Sequence, residues 1–422
     1  MKKIRMPFGN GEIELNIPES NFSELLSPHI PKQLAKSNEE EIISGLDHPI
    51  GADRLEDIIK PSHKVAILCE DITRYAQTDL IIPILIQRLS NLGVPDKNIK
   101  IVMALGSHRP MTREEMIKKV SKDIFNRFQV VNSENKDKSK LVYAGLSSGG
   151  FKVWVDPVVY ESDFKIGLGS IEPHTTTGYS GGGKIIYPGV VGLETIANFH
   201  IMATSLGNQA GNADNEVRMT MENWVDTVGL NYIINVIVTP DNNIYKVVAG
   251  HFVKAHRAGI KYSREIWGIN SNRRIDIAVV NSYPANIDLW QGIKGILNCE
   301  KAIPDGGLLI LATPCYEGVG PHSEFIGYLG HNEPKKLIQK TKNSKHITEG
   351  VLPLAEGLNI AVIRQRINIA VISEGLTKTD IENAGFLYFK TVDEAIKFGL
   401  KKYGSKANIA VVTMGGGSYI FK

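Results

Sequence analysis

The chain is expected to fold as an α/β protein of two domains with mainly parallel sheets and an active site in the cleft between them. Three observations point there. Apolar runs rich in β-branched residues alternate with helix-length amphipathic segments, the pattern of strands joined by crossover helices. At 422 residues the chain exceeds one ordinary core. A polar stretch, Asn270-Ser271-Asn272-Arg273, separates two such series. The expected division is residues 1–268 and 272–400, with 404–422 returning to complete the first domain.

Taken in order, residues 64–69 read as a buried strand and 79–92 as the helix after it. Residues 99–105 form the next strand, and Thr112 caps a helix with Glu114 and Glu115 in its first turn. Residues 164–168 are a third strand, and 190–204 read as helix. Residues 232–239 and 244–248 flank Pro240-Asp241-Asn242-Asn243, a hairpin turn in composition. In the second block, residues 275–280, 308–312, 368–372 and 408–412 are buried strands. The similar pentads starting at Asn359 and Asn368 do not continue as a repeat, and read as a helix end and a strand. The Met414-Gly415-Gly416-Gly417 turn closes a final strand that is expected to pack back on the first domain.

Composition narrows the function. Hydrophobic content of 42%, charged content of 22% and a net charge of +3 are ordinary for a globular protein. No basic stripe with aromatics supports nucleic-acid binding. No apolar run reaches the ~18–20 residues that span a membrane, and the basic N-terminus lacks the apolar stretch of a signal peptide. Cys69, Cys299 and Cys315 have no C-x-x-C spacing, which suits a reducing cytoplasm and argues against a thiolate zinc site.

The densest chemistry lies in Glu172-Pro173-His174-Thr175-Thr176-Thr177-Gly178-Tyr179-Ser180-Gly181-Gly182-Gly183-Lys184. Gly178, Gly183 and Lys184 fit a phosphate-binding loop, but Ile185 stands where that motif needs Ser or Thr on magnesium. Tyr187-Pro188-Gly189 also stops the helix that should follow. Glycines still allow close backbone approach to a ligand, and a lysine of depressed pKa is a nucleophile.

Ligands in open α/β sheets bind outside the carboxyl ends of strands. Three predicted strands end in polar groups: Asp71 and Arg74, then His108 and Arg109, then Glu172 and His174. Taken singly, Asp71 with Arg74 is a surface ion pair, His108 or His174 a structural histidine, and His200 a solvated one. Their convergence on one edge argues for a site. His251 and His256 do not share a helix face well and read as structural or solvated.

Together Gly106-Ser107-His108-Arg109, Pro173-His174 with the Gly178–Lys184 loop, Pro188-Gly189 and Asn198-Phe199-His200 resemble the nickel-pincer lactate racemase family over nearly the whole chain. Asp71-Ile72-Thr73-Arg74 and Trp290-Gln291-Gly292-Ile293-Lys294 resemble its substrate-side motifs. The resemblance implies a racemase or epimerase of 2-hydroxy acids, lactate or a larger relative, working by reversible hydride transfer. The cofactor it implies is a nickel-pincer nucleotide, the nickel complex of pyridinium-3,5-bisthiocarboxylic acid mononucleotide, tethered at Lys184 and built by separate maturation enzymes. It implies His200 as the protein ligand to nickel and His108 and His174 as paired acid/base groups. Asp71, Ser180, Gly181, Gly182 and Gly183 are expected to hold the cofactor, and Arg74, Lys294, Gln291 and Trp290 the substrate. Arg74 is followed by Tyr75, where proline is common in relatives, and Trp290 replaces the tyrosine of the lactate enzymes. Arg109 is a candidate for a second substrate carboxylate. A zinc or nickel hydrolase ligated by His108, His174 and His200, and a noncatalytic binder of a small nucleotide or carboxylate, are the alternatives.

Overall fold

The computed structural model describes residues 1–204, 206–342 and 350–421. Two six-stranded sheets organise it. Edge to edge, the first runs Ile244–Gly250, Tyr232–Val238, Phe164–Ser170, Val65–Glu70, Ile99–Ala104, Gln129–Asn132. Neighbours are parallel except for the hairpin of Tyr232–Val238 with Ile244–Gly250. The second runs Leu387–Tyr388, Asn368–Ile372, Leu308–Ala312, Ile277–Asn281, Ile409–Val412, Phe22–Leu26, and all its pairings are parallel.

The central strands are buried throughout: Val65–Glu70 and Phe164–Ser170 have no exposed position. Helices cover both faces of such a sheet, so continuous apolar runs rather than alternating ones are required. Thr78–Asn91 packs Ile81, Ile82, Leu85, Ile86 and Leu89 inward, positions that share one face at helical spacing. The cap at Thr112 is present: its hydroxyl accepts from the Glu115 N–H at 3.2 Å, and Glu115 accepts in return from the Thr112 N–H at 2.8 Å. The helix expected over 190–204 begins instead at Leu193. Gly182–Ile185 forms only a short 3-10 turn, and the N–H groups of Gly192 and Leu193 bond to Trp154 and Asn135.

The expected division places residues 1–26 in the first domain and 404–422 with it, and the observed sheets correct this. Phe22–Leu26 pairs with Ile409–Val412 in the second sheet. The hairpin of Lys2–Phe8 and Gly11–Ile17 buries Met6, Leu15 and Ile17 in one cluster with Ile277 and Leu308. Burying that apolar set requires the second sheet, which the chain forms only much later. Tyr419–Phe421 pairs with Gly268–Asn270, at the junction of the two units.

In the first sheet, the chain leaves Val65–Glu70 towards Ile99–Ala104 and later returns on its other side as Phe164–Ser170. This reversal opens a crevice at the carboxyl ends of those strands, where ligands bind in such folds. No helix among the described residues is long and apolar enough to cross a membrane, and the three cysteines are free and buried.

Candidate active site

The crevice becomes a cleft of ≈ 1030 Å³, counted out to its open mouth. Asp71, Arg74, His108, His174, Lys184 and His200 come from the first unit, and Trp290, Gln291, Lys294 and Glu356 from the second. Gly106 turns the chain from Ile99–Ala104 towards His108 with φ of 58°, a conformation a side chain disfavours.

His108 sits in a network that determines its proton. Asp71 Oδ2 is 2.5 Å from His108 Nδ1, while Asp71 Oδ1 accepts from Thr73 Oγ1 at 2.7 Å and Thr73 N at 3.2 Å. On the other side, Lys294 Nζ donates to Gln291 Oε1 at 2.5 Å, so the Gln291 amide nitrogen faces His108 Nε2 at 3.3 Å. An amide N–H needs a lone pair opposite, and a carboxylate needs a proton. His108 is therefore protonated at Nδ1 and presents a lone pair at Nε2. Burial opposes the charge of Asp71, but His108, Arg74 and Thr73 outweigh it and hold the carboxyl well below the usual range.

His174 has the opposite arrangement. Its Nδ1 accepts from the Thr176 N–H at 3.2 Å, so the proton lies on Nε2, which is 2.8 Å from Lys184 Nζ. That contact requires a lone pair on Lys184, hence a neutral amine. Burial, then Arg74, Arg218 and Lys294, push Lys184 in that direction, well below its ordinary value. Burial and then Lys184 lower His174 likewise.

The loop carrying Lys184 is clamped from behind. Arg218, fully buried, donates to the carbonyls of Thr177 at 3.2 Å, Gly181 at 3.1 Å and Tyr179. His256 Nε2 donates to Ser180 O at 2.8 Å, and Tyr179 meets Tyr419. Gly181 and Gly182 have φ of 75° and 60°. Parts of the expected cofactor cradle are committed elsewhere. Ser180 Oγ donates to Ser170 O at 2.7 Å and accepts from Glu172 N at 2.8 Å. The Gly182 N–H donates to Asn235 Oδ1 at 2.8 Å. Ser180 and Gly181 border the cleft. Gly182 and Gly183 lie behind it, where a Cβ would meet His256 at 3.0 Å and Val225 at 2.9 Å.

Arg74 and Lys294 form the cationic wall. Between their fields lies buried Glu172, whose Oε1 has no hydrogen-bond partner. Burial and Glu70 push Glu172 up, and burial and Arg74 pull Lys294 down. Arg109 is not part of this wall. It makes a two-bonded pair with Glu115, both bonds 2.8 Å, and reaches Glu317 of the second unit at 3.3 Å. Trp290 lines the cleft with its ring 4.8 Å from both His322 and Phe325. His200 borders the cleft with Nδ1 3.3 Å from Glu356 Oε1.

Among the described residues, no three His, Cys, Asp or Glu side chains converge to hold a metal. His108, His174 and His200 share one cleft but not one coordination point. The cleft brings together one imidazole, His200, a neutral amine, Lys184, and a glycine loop beside it. Glu356, Arg218 and Asn235 escape sequence reasoning because no motif surrounds them. Glu172, already marked beside His174 at a strand end, is joined there by Glu70, the last residue of Val65–Glu70.

The lactate racemase N-terminal domain model matches residues 8–212, and the lactate racemase C-terminal domain model matches residues 270–420. A lactate racemase of Lactiplantibacillus plantarum is 29% identical over 421 residues, 98% of this chain and 99% of that protein. One from Thermoanaerobacterium thermosaccharolyticum is 27% identical over 346 residues, 81% of each. The lactate racemase apoprotein structure from the latter organism superposes with a TM-score of 0.89 at 24% identity, covering 100% of both chains. A crystal structure of a Thermotoga maritima protein shares the fold at a TM-score of 0.70 and 19% identity, covering 91% of this chain and 98% of that one.

Proposed function

The chain belongs to the lactate racemase family, and we propose that it is an isomerase inverting the hydroxyl-bearing carbon of a 2-hydroxy acid, lactate or a larger relative. The observation that carries this reading is the pair of opposed hydrogen-bonding environments around His108 and His174 within one cleft. One imidazole offers a lone pair at Nε2 and the other a proton at Nε2, beside two cations suited to a carboxylate. Inversion needs a proton acceptor on one side of the carbon and a proton donor on the other.

Arg74 and Lys294 hold the substrate carboxylate, Arg74 through its planar fork. Charge on that carboxylate replaces part of the repulsion between the two cations. His108 accepts the hydroxyl proton of one enantiomer, with the resulting imidazolium stabilised by Asp71. His174 returns a proton from the other side once the planar 2-keto acid has turned, and the roles exchange in the reverse direction. Direct removal of the carbon-bound proton would leave a carbanion beside a carboxylate. A nickel-pincer nucleotide bound in this cleft would supply the hydride chemistry that avoids this. Lys184, kept neutral, would hold it through a thioamide, and His200 would offer nickel an imidazole nitrogen. The cofactor is built by separate maturation enzymes, and the protein works in the cytoplasm.

Peptide mass measurement of matured, active protein tests this reading. Added mass on Lys184 together with interconversion of enantiomers is the expected result. Active protein with unmodified Lys184 would overturn it, and hydrolase activity with a directly bound zinc or nickel would replace it.

A further inference from the structure

The contact between His200 and Glu356 spans the two units and is nearly closed to solvent. His200 stands on the helix Leu193–Thr204 and Glu356 on Val351–Arg364, and these helices pack together. The two side chains are only 11% and 14% exposed, with Glu356 Oε1 3.3 Å from His200 Nδ1. Both border the cleft.

We propose that Glu356 is a positioning residue for the metal-facing imidazole of His200, supplied by the opposite unit; this rests on the function proposed above. An imidazole nitrogen facing a carboxylate carries the proton, which leaves the lone pair on the other nitrogen. Outer carboxylates of this kind fix the ring's orientation and raise its basicity as a ligand. Here the carboxylate beside Nδ1 leaves Nε2 of His200 as the ligand atom. Because that carboxylate belongs to the second unit, it stands beside the imidazole only while the two helices are packed together. A purely structural ion pair would contribute to stability and would leave metal retention untouched.

The test uses the full chain matured with its cofactor, comparing wild type, Glu356→Ala, Glu356→Gln and His200→Ala. The readouts are nickel per chain after a timed chelator challenge, added mass on Lys184, and melting temperature. Glu356→Ala should retain nickel about 10- to 100-fold less well, with the Lys184 adduct and the melt unchanged. Glu356→Gln keeps an acceptor oxygen without the charge and should fall between, which preserves the test if the alanine variant folds poorly. Wild-type nickel retention in both Glu356 variants, with His200→Ala losing nickel, overturns the role of Glu356 alone. Wild-type retention in His200→Ala, or wild type with no adduct, overturns the underlying function and this role with it.

Discussion

Replacing Asp71 by Asn should do more damage than replacing it by Ala, and the network around His108 says why. Asp71 Oδ1 accepts both the Thr73 N–H and the Thr73 hydroxyl, so the single oxygen of Asn stays with those donors. The new NH₂ group then faces His108 Nδ1, 2.5 Å from the present carboxylate oxygen. A donor there demands a lone pair on Nδ1 and drives the ring proton to Nε2, the atom that has to accept the substrate proton. The general-base contribution is lost, typically ~10²–10⁴-fold, or about 2.7–5.4 kcal/mol at ~1.36 kcal/mol per tenfold. Alanine has no donor, leaves both tautomers accessible, and should cost less. The assay is optical rotation followed from one pure enantiomer, with rates normalised to the fraction of Lys184 carrying added mass. An Asp71→Asn rate within threefold of wild type, or an alanine variant slower than Asn, would refute the tautomer argument.

Arg109→Ala should leave the KM for 2-hydroxy acids within twofold, since this side chain is held by Glu115 and Glu317; a tenfold rise confined to dicarboxylates would return it to the substrate wall. Arg218→Met strips three carbonyls of a buried partner and should destabilise the protein by about 3–5 kcal/mol, the usual consequence of breaking a buried charged network; an unchanged denaturant midpoint would contradict this. Burial first of all holds His174 and His256 neutral, well below their ordinary pKa. The stability this supports is complete above the unfolded value of ~6.5 and is lost as pH falls from there towards the folded values, because the unfolded chain binds protons that the folded one refuses. Melting temperature should therefore drop between pH 7.5 and pH 5, with a shallower slope in His256→Gln. An identical slope in that variant would count against the assignment.

Much of the fold was legible because its central strands are covered on both faces. Val65–Glu70 carries the continuous apolar run that a helix-covered parallel strand favours, and the strand-end rule then brings Asp71, His108 and His174 to one edge. The first 26 residues were misplaced because Phe22–Leu26 is short and half-exposed, so its partner is decided by Ile409–Val412 at the far end of the chain. The roles of Arg74, Lys184, His200 and Lys294 came from motif resemblance. Local chemistry alone left Lys184 open between clamp and nucleophile, and burial among cations now favours the nucleophile. Arg218 and Glu356 were illegible for a different reason: each is one charged residue on an amphipathic helix, and only three-dimensional packing shows that it points inward. Asp71 was expected to hold the cofactor, and its short contacts to His108 and Thr73 add the orientation of an imidazole to that expectation.

The central claim is that inversion proceeds by removal and return of hydride between two histidines of opposite proton placement. It is tested most directly by giving matured protein a pure enantiomer of a 2-hydroxy acid deuterated at the hydroxyl-bearing carbon, in ordinary water. Racemised product that keeps its deuterium at that carbon is the predicted result. Inverted product in which the label has exchanged for solvent hydrogen would contradict the account.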